Sequence, residues 1–149
     1  MVAHSPDRHA EISEETIRAL VHAFYARVRD DDALGPIFGR VLGEDWEPHL
    51  AKMCDFWSSV MLTSGRYKGS PMLAHMRLKM VRPEHFERWL ALFRATARAE
   101  FTPELAAQFC ARADTIARSL QHGMFWRPAA PSSAKSKLGD RDEKQSSAC

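Results

Sequence analysis

Three of the seven histidines lie in apolar stretches of the sequence, where an imidazole can bind a metal ion or exchange a proton. His49 begins an apolar stripe at helical spacing, and His75 stands between two methionines after a Gly-Ser-Pro turn. His85 precedes Trp89 by four residues, about one helical turn, so it can also face inward. Each of the three could equally be a hydrogen-bonded structural histidine or a surface histidine. Spacing alone therefore leaves three candidate metal ligands.

Two aromatic residues that carry a polar atom, Tyr25 and Trp89, stand within apolar helical stripes. A phenol O–H and an indole N–H need hydrogen-bond partners when they are buried. Both could be ordinary core aromatics. A haem site would use all of these groups, because its iron binds a neutral imidazole, its porphyrin needs large apolar walls, and donors on the opposite side stabilise an oxygen ligand. The four Trp, eight Phe and seven Met suit such walls, and they suit a plain core equally well.

Helical signals organise the first third of the chain. Ser13 can cap a first helix that carries acidic residues in its first turn, and the three aspartates at 30–32 end it. Apolar residues recur between them with the period of a helix. Gly35-Pro36 then predicts a loop that carries Phe38.

Signals for four more helices divide the rest of the chain. Asp45 can cap a second helix, which Gly65 closes, and a very short helix begins at Pro71. A longer helix begins at Pro83, and the last one begins at Pro103. No stretch alternates with a period of two residues, so the predicted fold class is all-α.

Composition predicts one domain over residues 12–126, between a mobile segment over 1–11 and a disordered tail over 127–149. The formal net charge of +2 falls within the tail, which leaves the domain neutral and gives no support for a nucleic-acid partner. There is no apolar run of about 18 residues to cross a membrane. Three cysteines without paired spacing fit a reducing compartment, so we expect a cytoplasmic protein.

The order and spacing of five stretches resemble the third group of truncated haemoglobins, from about Ile12 to Phe125. These stretches are FY at 24–25, LGPIF at 34–38, WEPH at 46–49 with FW at 56–57, YKGSPMLAH at 67–75 and FERWLALF at 86–93. The chain lacks the paired-glycine motifs of the first truncated group, as members of the third group are expected to. The resemblance implies a truncated globin fold, a two-over-two helical sandwich that encloses one haem b.

The resemblance also assigns roles to residues. It implies that His75, rather than His85, binds the iron and donates its other N–H to a backbone carbonyl or a water. On the opposite side Tyr25 and Trp89 would donate hydrogen bonds to the ligand, and His49 would act as a gate or third contact. Arg77 and Lys79 could pair with the haem propionates or could equally be solvated charges. Further residues are expected to line or hold the haem, with an ordinary core role as the alternative: Phe38, Met53, Trp57, Met72, Leu78, Phe86, Leu90, Phe93 and Ile116.

The implied function is the reversible binding, sensing or transport of O2, NO or CO at a five-coordinate iron. An alternative is an NO dioxygenase or a peroxidase-like enzyme that uses a separate reductase, because the chain has no flavin or nicotinamide motif. A helical adaptor without a cofactor is a third interpretation. We expect no nucleic-acid or membrane partner, and either a monomer or a weak homodimer.

Overall fold

The computed structural model describes residues 8–70 and 80–125, and these residues form five α-helices. In chain order the helices are α1 (Glu14–Asp30), α2 (Leu34–Leu42), α3 (Glu47–Leu62), α4 (Pro83–Glu100) and α5 (Pro103–Phe125). The prediction of an all-α chain is confirmed. Among the described residues, no helix has both the length and the apolar character that crossing a membrane requires.

Helix α1 begins at the cap that the sequence predicted. The Ser13 hydroxyl accepts the Thr16 N–H at 3.2 Å, and the Thr16 hydroxyl oxygen accepts the Ser13 N–H at 2.8 Å. This reciprocal pair satisfies two amides that have no partner within the helix. The apolar face of α1, which includes Leu20 and Phe24, is buried against α3 and α4.

The prediction of a loop at Gly35-Pro36 is wrong, because both residues lie in the first turn of α2. Proline is tolerated there, since the first amides of a helix have no partner within it. The Asp31 carboxylate accepts the Leu34 N–H at 2.9 Å and so caps α2 from outside. Phe38 is therefore presented by a helix.

Helix α3 begins and ends close to the predicted signals. The Asp45 carboxylate accepts the Glu47 N–H at 3.2 Å, at the first residue of the helix. The helix ends at Leu62, because Thr63 adopts a left-handed φ of 52° and Gly65 follows with a φ of 74°. The short helix that we predict after Pro71 lies outside the described residues.

A buried hydroxyl joins α3 to α1. The Ser58 side chain is fully buried and donates a hydrogen bond to the Glu14 carboxylate at 2.7 Å. The same carboxylate accepts the Arg66 Nε–H at 3.2 Å, from the loop that follows α3. This network holds the end of α3 and the start of that loop against α1.

Helices α4 and α5 pack on each other as an antiparallel pair, starting at the two predicted prolines. The Arg94 guanidinium bonds the Asp114 carboxylate across the pair at 2.7 Å. Phe93 and Phe109 are almost completely buried and place the centre of the core between α4, α5 and α1.

The chain before α1 is attached to the corner between α4 and α5. The His9 N–H donates to the Glu100 carbonyl at 2.8 Å, and the Thr102 N–H donates to the His9 carbonyl at 3.1 Å. The His9 ring also meets the Phe101 ring edge-on, with centroids 5.4 Å apart. The prediction of a mobile segment over 1–11 did not anticipate this attachment. The tail predicted over 127–149 lies outside the described residues.

Candidate functional site

A cavity of about 340 Å³ opens between the helices, and all five described helices contribute to its walls. Most of its lining is apolar or aromatic, which is typical of a site for a large flat or apolar ligand. The structure brings most of the predicted site residues to this cavity: Tyr25, Phe38, His49, Met53, Trp57, Phe86, Trp89 and Ile116.

Tyr25 is a strongly perturbed titratable group in the cavity lining. Its side chain is buried, and the Trp89 indole N–H lies within hydrogen-bonding reach of its hydroxyl oxygen. Burial raises the pKa of Tyr25 well above its ordinary value, and the hydrogen bond from Trp89 opposes that shift only in part. The phenol therefore stays neutral throughout the physiological pH range and keeps its proton.

Side chains from three helices meet beside Tyr25. The His49 ring from α3 meets the Tyr25 ring edge-on at a centroid distance of 4.9 Å. The ring centroid of Phe38, from α2, lies 5.9 Å from that of Tyr25 and 6.0 Å from that of His49. With the Trp89 indole from α4, this places three side chains that can donate hydrogen bonds at one part of the cavity wall.

The indole of Trp89 is held by stacking as well as by its hydrogen bond. Its ring lies parallel to that of Phe93 with centroids 5.5 Å apart, and Phe93 in turn stacks on Trp57 at a centroid distance of 5.0 Å. Phe93 is 1% exposed and lies behind the two tryptophans, outside the cavity lining. Leu90, another predicted haem-wall residue, also lies outside that lining.

His85 lines the cavity, but one of its ring nitrogens already accepts a hydrogen bond from a backbone N–H. Its Nδ1 accepts the Arg82 N–H at 2.9 Å and caps the start of α4. In a neutral imidazole with this bond, the proton is on Nε2, which then has no free electron pair for a metal ion. Four other predicted site residues lie outside the described residues: Met72, His75, Arg77 and Leu78.

Several residues of the cavity lining were not predicted from the sequence. Leu34, Ile37 and Val41 follow one face of α2 and would have been found had α2 been predicted as a helix. Lys52 follows His49 by three residues on α3, a spacing that could have indicated it. Tyr67 comes from the loop after α3, where no periodic signal exists.

Tyr67 is nevertheless fixed by local contacts. Its backbone N–H donates to the Ser59 hydroxyl at 2.9 Å, and its ring meets Phe56 edge-on at 5.3 Å. The loop thus closes one side of the cavity with an aromatic ring.

Comparison with known proteins gives consistent matches over most of the chain. A family profile described as bacterial-like globin matches residues 12–122. The group 3 truncated hemoglobin ctb of Campylobacter jejuni is 36% identical over 117 residues, covering 76% of this chain and 92% of that protein. The crystal structure of a group III truncated hemoglobin from Campylobacter jejuni superposes with a TM-score of 0.77 at 34% identity, covering 80% of this chain and 96% of that one.

Proposed function

This chain belongs to the bacterial-like globins and is a group III truncated haemoglobin, and on that basis we propose that its cavity holds one haem b with His75 as the iron ligand. As a globin it binds haem and small gaseous ligands. The proposal adds which residues hold the haem and which contact the ligand. Haem supplies an iron whose open coordination position takes a diatomic ligand such as O2, NO or CO.

The residues of the cavity fit a haem. Its walls are largely apolar and aromatic, as a porphyrin requires, and three side chains that can donate hydrogen bonds, Tyr25, His49 and Trp89, meet on one part of the wall. Within the described residues, His85 is the competing candidate for the iron ligand, but its Nδ1 is occupied by the helix cap. The capping bond therefore favours His75.

The buried phenol of Tyr25 is the observation that carries the proposed ligand contact. A phenol has one proton to donate, and the Trp89 N–H, which can only donate, would interact with the acceptor side of its oxygen. The phenolic proton is then available for a ligand in the cavity. A donor in an apolar surrounding binds a partly negative oxygen atom more strongly than it does in water. Tyr25 is thus the direct donor, and Trp89 orients it.

His49 completes the contact surface in this proposal. Its ring packs edge-on against Tyr25 and close to Phe38, so a rotation of His49 would open or close the space beside the phenol. With a ligand in the cavity, large side chains of the lining such as Trp57 and Phe86 would leave little room for water in that space. Exclusion of water keeps the hydrogen bond from Tyr25 effective.

Haem uptake tests the iron ligand. His75→Ala should lose haem during purification, measured by the visible absorption of haem relative to protein, because a single imidazole anchors the iron. His85→Ala is the matched control. It should retain haem and lose only roughly 1 kcal/mol of the free energy of unfolding, since it removes a helix cap. A folded His75→Ala protein with full haem content would show that another residue binds the iron.

Conversion of NO and O2 to nitrate is a second candidate function, which the paired Tyr25 and Trp89 favour. A donor-rich wall slows the loss of O2 and leaves time for NO to react with it. Each turnover consumes one electron, which a separate reductase would supply. Rapid mixing of the O2-loaded protein with NO should yield nitrate faster than O2 dissociates. A rate no faster than O2 dissociation would exclude this activity.

A further inference from the structure

One carboxylate connects three helices at the edge of the cavity. Asp31 follows α1, and its side chain is only 4% exposed. Its Oδ1 accepts from Arg88 of α4, with Nη2 at 2.6 Å and Nε at 2.8 Å. Its Oδ2 accepts the N–H of Ala33 at 3.0 Å and that of Leu34 at 2.9 Å. The Arg88 guanidinium also holds the pKa of Asp31 below its usual value.

The Asp31 side chain is the side-chain cap at the N-terminal end of helix α2, beside the Gly35 N–H, which donates to the Asp31 backbone carbonyl at 2.9 Å. The helix has nine residues, too few for an isolated helix to be stable in water. Its one buried residue is Leu34, while Val41 at the other end is 49% exposed. The residue at its cap position, Ala33, has no side chain that could bond the first amides. The carboxylate of Asp31 performs that task.

Helix α2 in turn carries part of the ligand pocket. Phe38 lies one turn beyond Leu34, and its ring is within 6.0 Å of both Tyr25 and His49. On the other side of the ion pair, Arg88 immediately precedes Trp89, whose indole N–H binds Tyr25. The ion pair thus connects the helix that bears Phe38 to the helix that orients the phenol.

We propose that Asp31 and Arg88 are positioning residues that hold α2 against the cavity and so set how firmly a ligand beside Tyr25 and His49 is retained. Neither residue lines the cavity. Their effect is transmitted through the position of Phe38. This inference rests on the proposed ligand-binding function and adds two residues that set how firmly that same site retains its ligand.

Two variants and one matched control test the proposal. Asp31→Asn keeps an amide oxygen that can accept the Leu34 N–H but removes the charge that attracts Arg88, and Arg88→Met removes the other partner. Arg94→Met is the control, because Arg94 lies on the same helix and forms an ion pair of similar length with Asp114, away from α2. Circular dichroism establishes that all variants are folded.

Hydrogen–deuterium exchange of residues 34–42 in the full chain as purified is the first measurement. Exchange of the α2 amides should be about two- to tenfold faster in Asp31→Asn and Arg88→Met than in the wild type, and unchanged in Arg94→Met. The second measurement is O2 dissociation from the haem-loaded protein, which should accelerate by about two- to tenfold in the same two variants. Their CO complexes should also show a shifted C–O stretching frequency.

The double variant Asp31→Asn/Arg88→Met should match either single variant in both measurements, because each substitution breaks the same contact. Unchanged α2 exchange in both single variants would overturn the proposal, as would faster exchange with unchanged O2 dissociation and C–O frequency. Exchange does not require haem, so it tests the attachment of α2 independently. Failure of the wild-type chain to take up haem would instead overturn the proposed function.

Discussion

The part of the cavity wall formed by α1 and α4 and the part formed by α2 differ in how they are held. Tyr25 and Trp89 stand in front of a packed aromatic layer, with Phe24 and Phe93 both 1% exposed behind them. Helix α2 has one buried residue and is tied at its start by the carboxylate of Asp31. The donor groups thus have a closely packed support, whereas we expect α2 to be displaced at a smaller energetic cost. A pocket can combine precise hydrogen bonding with an adjustable wall in this way.

The sharpest contrast should be in stability. Phe93→Ala should lower the free energy of unfolding by about 3–5 kcal/mol, because it leaves a gap between Trp57 and Trp89 in a closed core. Val41→Ala on the exposed end of α2 should change it by no more than about 0.5 kcal/mol. Denaturant titration of both variants measures the difference. Similar losses would mean that α2 is as firmly packed as the core.

Removal of the phenolic hydroxyl tests the hydrogen bond that Tyr25 is proposed to donate to the ligand. Tyr25→Phe should accelerate O2 dissociation by roughly ten- to a hundredfold, because a hydrogen bond in a dry pocket is worth about 1–3 kcal/mol. CO dissociation should change far less, since bound CO carries less negative charge. Stopped-flow ligand replacement gives both rates. Equal changes for the two ligands would indicate altered packing instead of a lost hydrogen bond.

Trp89→Phe should have a smaller effect on O2 dissociation than Tyr25→Phe, because the indole acts on the ligand through the phenol that it orients. The Tyr25→Phe/Trp89→Phe double variant should therefore dissociate O2 about as fast as Tyr25→Phe alone. The same stopped-flow measurement applies. If the two effects multiply, Trp89 donates to the ligand independently, as the resemblance to truncated haemoglobins implied at the outset.

The smallest effect should be on the pH dependence of the free energy of unfolding, through the Asp31 carboxylate that caps α2. Because Arg88 lowers the pKa of Asp31 below its unfolded value of about 3.9, the ionised carboxylate stabilises the fold above that pH. This contribution is lost as the pH falls through the lowered folded value. Unfolding measured between pH 6 and pH 2 should show a shallower acid slope for Asp31→Asn. An unchanged slope would mean that other carboxylates govern acid unfolding.

Local signals in the sequence were sufficient for most helix limits. The Ser13 cap, the prolines at 83 and 103 and the break after Leu62 act within a few residues of where they stand, so their outcome depends little on the rest of the fold. Tyr25, His49 and Trp89 were also identified before the structure, from their place in apolar stripes and from the resemblance to a family. The structure then brought all three to the same cavity.

Helical periodicity and capping are short-range properties, so the all-α class and the main helix starts could be predicted from the sequence, while the resemblance to a family named the candidate haem-site residues. Three features appear only in the folded chain: Gly35-Pro36 opens a helix, His85 caps α4, and the Trp89 indole approaches the Tyr25 hydroxyl. The positions of Asp31, Tyr25 and Phe93 depend on how α1, α2 and α4 cross. Crossing is set by the packing of whole helix faces, so no short stretch of sequence encodes it.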